Sequence, residues 1–262
     1  MRKTALVISI IAGILVLSAV VAIAGNERSA AVTETKIESN SRTLTPHAPI
    51  YIEGNAGFTP ENGVVSGSGT EGNPYIIQNW DIDASTAHGV EIRNTDVYFI
   101  IRNYVIHDGK SNDIYGIYFY SVQNGKIDNV TSYNNEHGIW LDSSSNNQIT
   151  NCVVYNSLGI SLYYSSNNQI TNCAVYDNYG RYGGIYLYSS SNNEIHFCNI
   201  YNNTNYGVYN ENLGIKYQVN ATYNWWGSGG TGANAGKPGE GGNNPVSSNV
   251  LYDPWLTKPW ED

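Results

Sequence analysis

The chain has 262 residues and a formal net charge of −9, from 13 Lys+Arg against 22 Asp+Glu. That balance excludes a sequence-independent nucleic-acid binder, which needs cations to neutralise phosphate. With 13% charged residues, 4 Phe and 1 Met against 22 Tyr, 27 Gly and 35 Asn, it also excludes a helical bundle and points to β structure built of turns.

At the amino terminus, Arg2 and Lys3 precede an uncharged apolar run from Ala5 to Ala24 that ends in Ala22-Ile23-Ala24. A basic start, an apolar stretch and an A-x-A exit make a secretory signal cut after Ala24. A run of ~20 residues also suffices to span a bilayer, so a retained anchor helix is the second reading. Either way the remainder lies outside the cytoplasm, secreted or at the cell surface. Residues 25–46 are polar and aperiodic and read as a tether. Residues 47–75, with the strand candidate Pro49-Ile50-Tyr51-Ile52 and a Gly-rich stretch, read as an N-terminal cap.

Between 76 and 226 the sequence repeats. Ser144-Ser145-Asn146-Asn147-Gln148-Ile149-Thr150-Asn151-Cys152 returns from Ser165 to Cys173, and in altered form from Ser190 to Cys198. A Gly leading an alternating strand recurs at Gly89, Gly116, Gly138, Gly159, Gly184 and Gly207, in steps of 27, 22, 21, 25 and 23. Each period holds three short strands separated by Asn or Gly corners. Such strands have no room to pair as hairpins within a period, so each pairs in parallel with its counterpart one period on, at ~4.8 Å. The predicted fold is all-β: a single-stranded right-handed parallel β-helix of about six to seven coils.

The strand alternation writes out the columns. Val90, Ile117, Ile139, Ile160, Ile185 and Val208 point inward, as do Ile92, Phe119, Leu141, Leu162 and Leu187. Tyr104, Val130, Cys152, Cys173 and Cys198 form a third inward column, with the cysteines as stacked free thiols or, in an oxidising compartment, one disulfide and one thiol left over. Asn79, Asn103, Asn129, Asn151 and Asn172 form a structural ladder at one corner, where the left-handed conformation is tolerated and stacked amides hydrogen-bond. Beyond them, Tyr223-Asn224-Trp225-Trp226-Gly227, a Gly/Asn-rich loop over 227–244 and the strand Val250-Leu251-Tyr252 read as a far-end closure, with 227–262 as the C-terminal cap.

These repeats resemble those of archaeal and bacterial secreted proteins with right-handed parallel β-helix repeats. That group includes pectate-lyase-like, carbohydrate-binding and sugar-hydrolase β-helices and the periplasmic copper-protein maturation family. The opening Gly63-Val64-Val65-Ser66-Gly67-Ser68-Gly69-Thr70 to Asn73-Pro74-Tyr75-Ile76-Ile77 and the endings Asn220–Gly227 and Asp253-Pro254-Trp255-Leu256 are similar as well. The resemblance implies an extracytoplasmic β-helix. It leaves function open among lyases, hydrolases, epimerases, binding modules and surface proteins.

The outward face of the Gly-led strands carries the candidate chemistry. Its columns are Glu91, Tyr118, Trp140, Ser161, Tyr186, Tyr209 and Arg93, Tyr120, Asp142, Tyr163, Tyr188. Tyr118, Tyr120, Trp140, Tyr163, Tyr186 and Tyr188 are the ligand-binding candidates: flat rings on neighbouring rungs to stack against sugar rings. The competing reading is that outward Tyr are simply good cross-strand β-formers. Glu91, Asp142 and Arg93 are the catalytic candidates for acid/base chemistry. Asn94-Thr95-Asp96 looks like the first polygalacturonase motif, but that family's later paired-Asp, Gly-His-Gly and Arg-x-Lys motifs are missing. So are the acid cluster and Arg motif of pectate lyases. His47, His88, His107, His137 and His196 are scattered, and His88 and His137 flank Tyr115, too far apart to share one ion. No metal site and no cofactor are expected, except Ca²⁺ if the chain is a lyase. The expected partner is polysaccharide, surface glycan or the cell envelope. The expected function is noncatalytic glycan binding, with a polysaccharide hydrolase or lyase and a structural envelope or adhesion protein as alternatives.

Overall fold

A computed structural model describes residues 44–110, 113–212 and 214–261. The segment expected to be a signal or anchor, and the tether up to residue 43, lie outside the described residues. Within them the chain is a parallel β-solenoid of about six turns, with short 3-10 turns but no α-helix. No described helix is long and apolar enough to cross a membrane.

One face is a seven-stranded parallel sheet with one strand per rung: Ile50–Glu53, Val90–Thr95, Tyr115–Val122, His137–Asp142, Ile160–Tyr163, Ile185–Tyr188 and Val208–Asn210. The other two faces merge into one sheet, because Phe99–His107 and Gly125–Tyr133 run unbroken round the corner between them. They turn at Asn103 and Asn129, with φ of 57° and 52°.

The inward columns stack in register. Val90, Ile117, Ile139, Ile160, Ile185 and Val208 follow rung to rung, and all are buried. Phe119, Leu141 and Leu187 continue the second column on Ile92. Each such side chain contributes about 1.5–3 kcal/mol by leaving water. Cys152, Cys173 and Cys198 are buried free thiols. They act as a polar seam: the Cys152 and Cys173 amides each donate to the next thiol, at 3.4 Å, and the thiols donate to the carbonyls of Thr150, Thr171 and His196.

Asn79, Asn103, Asn129, Asn151 and Asn172 all take positive φ, between 52° and 71°. The amide ladder among them is only partial. Asn103 donates to Asn79 (3.0 Å) and Asn129 to Asn103 (2.9 Å), but Asn151 turns to Asp128. Phe197 and Tyr223 occupy the next two such corners with φ of 57° and 60°. The buried ladders run elsewhere, in the Ser-Ser-Asn-Asn corner. Asn147, Asn168 and Asn193 accept from the amides of Gly125, Asn147 and Asn168 at 2.8–2.9 Å, and their own amides donate to the carbonyls of Val122, Ser144 and Ser165. Ser144, Ser165 and Ser190 repeat the device. At the third corner Asn178, Asn203 and Asn244 do the same. These side chains replace ladder bonds that the backbone loses on turning.

Parallel pairing begins ahead of the expected boundary at 76. Thr45–His47 pairs with Trp80–Asp83, and Ile50–Glu53 with Val90–Thr95, so the segment read as tether end and cap supplies rungs. Val64–Ser66 pairs antiparallel with Tyr75–Gln78, which itself pairs in parallel with Phe99–His107. At the far end Val250–Leu251 adds a rung to Val219–Asn220. Trp226 is fully buried under the last turn.

Candidate functional site

The outward columns of the seven-stranded sheet also follow the expected register: Glu91, Tyr118, Trp140, Ser161, Tyr186, Tyr209 and Arg93, Tyr120, Asp142, Tyr163, Tyr188. Rings on adjacent rungs mostly stack on one another rather than lying flat to solvent. Tyr163 and Tyr188, on adjacent rungs, are parallel with centroids 4.6 Å apart, and within one strand Tyr118 stacks on Tyr115 at 4.8 Å. The Arg93 guanidinium sits over Tyr118 (5.1 Å) and Tyr120 (5.3 Å), a cation–π pair that covers those faces. The face is therefore not a uniform platform for sugar rings.

Trp140 differs. His137 and Tyr115 meet it edge-on, at 4.7 and 5.5 Å, and Tyr163 lies tilted at 5.9 Å, so no parallel ring covers it. The next rung carries Ser161, which leaves a space. Trp140, Ser161, His137, Leu158, Tyr179, Arg181, Tyr182, Gly183 and Tyr186 enclose a pocket of about 250 Å³. Tyr186 is itself buried, against the expectation of an exposed binding ring. Tyr182 stacks on it at 4.0 Å, and the Tyr186 hydroxyl donates to Glu211. Burial and that carboxylate push the Tyr186 phenol up.

His137 is held between Tyr115, stacked at 4.6 Å, and Trp140. Its Nδ1 is buried without a hydrogen-bond partner, and burial pushes its pKa down to about 4. The ring is therefore neutral at physiological pH. An orphaned acceptor is tolerated better than an orphaned donor, which assigns the proton to Nε2. Tyr115 separates His137 from His88, as the spacing implied. Burial likewise pushes the Tyr115 phenol up to about 12.

The catalytic candidates are not gathered. Glu91 is ion-paired to Arg93, whose guanidinium is held further into its charged range by that carboxylate. Asp142 lies two rungs away, behind Tyr118 and Tyr120, and accepts from the Ser143 hydroxyl at 2.8 Å. Glycoside hydrolysis uses two carboxyls flanking the scissile bond; these two stand two rungs apart, with Tyr118 and Tyr120 on the rung between them. Among the described residues no three His, Cys, Asp or Glu side chains converge as metal ligands.

The feature that sequence reasoning missed is the corner 177–183. Its signal was the 25-residue step from Gly159 to Gly184, after a step of 21. A second aromatic column, His107, Tyr133, Tyr155, Tyr176 and Tyr201, stacks at 5.0–5.5 Å, so its ring faces are used within the column.

A family model described as the right-handed β-helix region matches residues 115–252, more than half of the chain. No curated protein matches it in sequence. Among solved structures, a mutant of the periplasmic alginate epimerase AlgG is similar with a TM-score of 0.50 and 19% identity, over 70% of this chain and 44% of that one. Another AlgG structure has a TM-score of 0.46 at 19% identity, over 68% of this chain and 48% of that one. The chain thus spans less than half the length of those epimerases, and identity at this level speaks for fold alone. By its repeats, its register and its family match, the chain belongs to the right-handed β-helix family.

Proposed function

We propose that the protein binds polysaccharide or surface glycan, without catalysis, on the outward face of the seven-stranded sheet, and that it does so outside the cytoplasm. The single observation that carries this is Trp140, a part-exposed indole with no parallel ring on it, opening onto a pocket with apolar walls and a few polar groups. A pyranose offers the complementary surface: apolar C–H faces for the ring and a rim of hydroxyls for hydrogen bonds. Tyr118, Tyr120, Tyr163 and Tyr188 line the approach with ring edges and hydroxyls, and Arg93, Glu91 and Asp142 supply its charged rim. The dispersed carboxylates favour binding over turnover. The apolar run from Ala5 to Ala24 supports export, and the periplasmic setting of the similar epimerase is consistent with it.

The test is a glycan array and pull-down on insoluble polysaccharides with wild type and Trp140→Ala. Retention by wild type and its loss in the variant, with an unchanged circular dichroism spectrum, is the expected result. Equal retention overturns it. Release of reducing ends or unsaturated products from the same panel, lost in Glu91→Gln/Asp142→Asn, would make the protein a hydrolase or lyase instead.

A further inference from the structure

The binding face is not equally open along its length, and the cause is one corner. Between Tyr155 and Gly159 the chain turns through Asn156-Ser157-Leu158. One turn later, between Tyr176 and Gly184, it passes through Asp177-Asn178-Tyr179-Gly180-Arg181-Tyr182-Gly183. Asn178 keeps the ladder place of Ser157, so the four extra residues cannot enter the rung and must leave the corner. In solenoids such insertions gather on one face, which is often the one that binds.

Here they fold back over the outward sheet. Tyr182 packs against Tyr186 at 4.0 Å and Tyr209 at 5.1 Å. Ser161 and Tyr186, outward by register, are left only 4% and 8% exposed. The insertion is fastened on both sides. The Tyr179 amide donates to the Ser157 carbonyl (2.9 Å) and its hydroxyl to the Asn135 carbonyl (3.3 Å). From the following turn, the Asn205 amide donates to the Arg181 carbonyl at 3.2 Å. Gly183 has φ of 74°, and a Cβ there would strike the Tyr206 carbonyl oxygen, so this residue alone permits the return to the sheet.

We propose that the insertion closes one end of the face, so that the pocket beside Trp140 takes the single terminal pyranose of a polysaccharide chain rather than a unit within it. This rests on the binding reading above. In the first outward column Trp140 carries no parallel ring and Ser161 leaves a space beside it, and Tyr182, packed over Tyr186 and Tyr209, bounds that space. In the second, the Tyr163–Tyr188 stack fills the rungs beyond. At about 250 Å³ the pocket is smaller than the ~300–1,000 Å³ of a typical small-molecule site and suits one ring. Trp140, Leu158, Tyr182 and Tyr186 provide its apolar walls. His137, Ser161 and Arg181 provide hydrogen-bonding groups for the hydroxyls.

The experiment counts binding sites per polymer chain by titration calorimetry. The polymers are soluble laminarin, xylan, mannan, alginate and polygalacturonate, each as a short and a long size fraction. For any polymer that binds, end capture gives the same number of sites per chain at both lengths. A variant lacking residues 180–183, whose Asp177-Asn178-Tyr179-Gly184 then spans the corner as Asn156-Ser157-Leu158-Gly159 does, should show sites rising with length. Tyr182→Ala, which removes the wall without shortening the chain, should shift in the same direction. Sites proportional to length in the wild type overturn end capture but leave glycan binding standing. So does stoichiometry unchanged in both variants. Binding of none of the five polymers overturns both readings.

Discussion

Ser161 stands beside Trp140 in the parallel register, and the ring missing from that one rung is what leaves a pocket on the face. Above and below it the same column carries Tyr118, Trp140, Tyr186 and Tyr209. Ser161→Tyr would restore a continuous column and fill the space. Tyrosine is a better β-former than serine and would gain aromatic contacts, so melting should be unchanged or raised. Binding on any positive array glycan should fall at least tenfold, a loss of about 1.4 kcal/mol. A Ser161→Tyr protein that melts normally and binds fully would place the ligand elsewhere.

The column pattern explains why the fold was legible and the site only partly so. In a strand, alternation alone assigns Ile139 inward and Trp140 outward, and the Gly-led spacing aligns them with Ile160 and Ser161. How a ring tilts on its rung is set by three-dimensional packing. Tyr163 lies against Tyr188 while Trp140 stands free, and nothing in the order of residues separates those cases. Asn columns pose the same problem. Asn151 and Asn168 recur with equal regularity, but one lies on an exposed corner and the other is turned into the solenoid.

That difference is measurable. Asn168→Ala leaves the buried Asn147 amide without its acceptor and the Ser144 carbonyl without that donor. Each orphaned group costs about 1–3 kcal/mol. Asn151→Ala removes an exposed bond to Asp128 and asks alanine to hold φ of 55°, a cost of about 1–2 kcal/mol. Thermal denaturation should therefore rank Asn168→Ala clearly below Asn151→Ala. The reverse order would return the structural weight to the exposed ladder.

The thiol column makes a second chemical prediction. Cys152 and Cys173 are wholly enclosed, and burial pushes their thiols well up, which suppresses the reactive thiolate. Native protein should be inert to a thiol-specific disulfide reagent at mildly alkaline pH. After denaturation without reductant, all 3 cysteines should titrate. One reactive thiol under denaturing conditions would mean that two had paired.

Stability should also carry the signature of His137. Its pKa is near 6.5 when unfolded and pushed down to about 4 by burial in the folded chain. Between those values the unfolded state binds the proton and the folded state does not, so stability rises with pH across the window. The contribution is complete above about pH 6.5 and is lost as the pH falls toward about 4. His88 is shifted in the same direction by burial, opposed by Glu91. The carboxyls of Glu53 and Asp83 are lowered by hydrogen bonds, from Asn94 first and from Ser85 first respectively, so they withdraw stability on the acid side of this window. The comparison that isolates His137 is therefore the melting temperature of wild type minus that of His137→Gln at each pH. That difference should decline steadily on acidification from neutrality. A difference that stays level would show that the imidazole accepts its proton as readily between Tyr115 and Trp140 as it does in water.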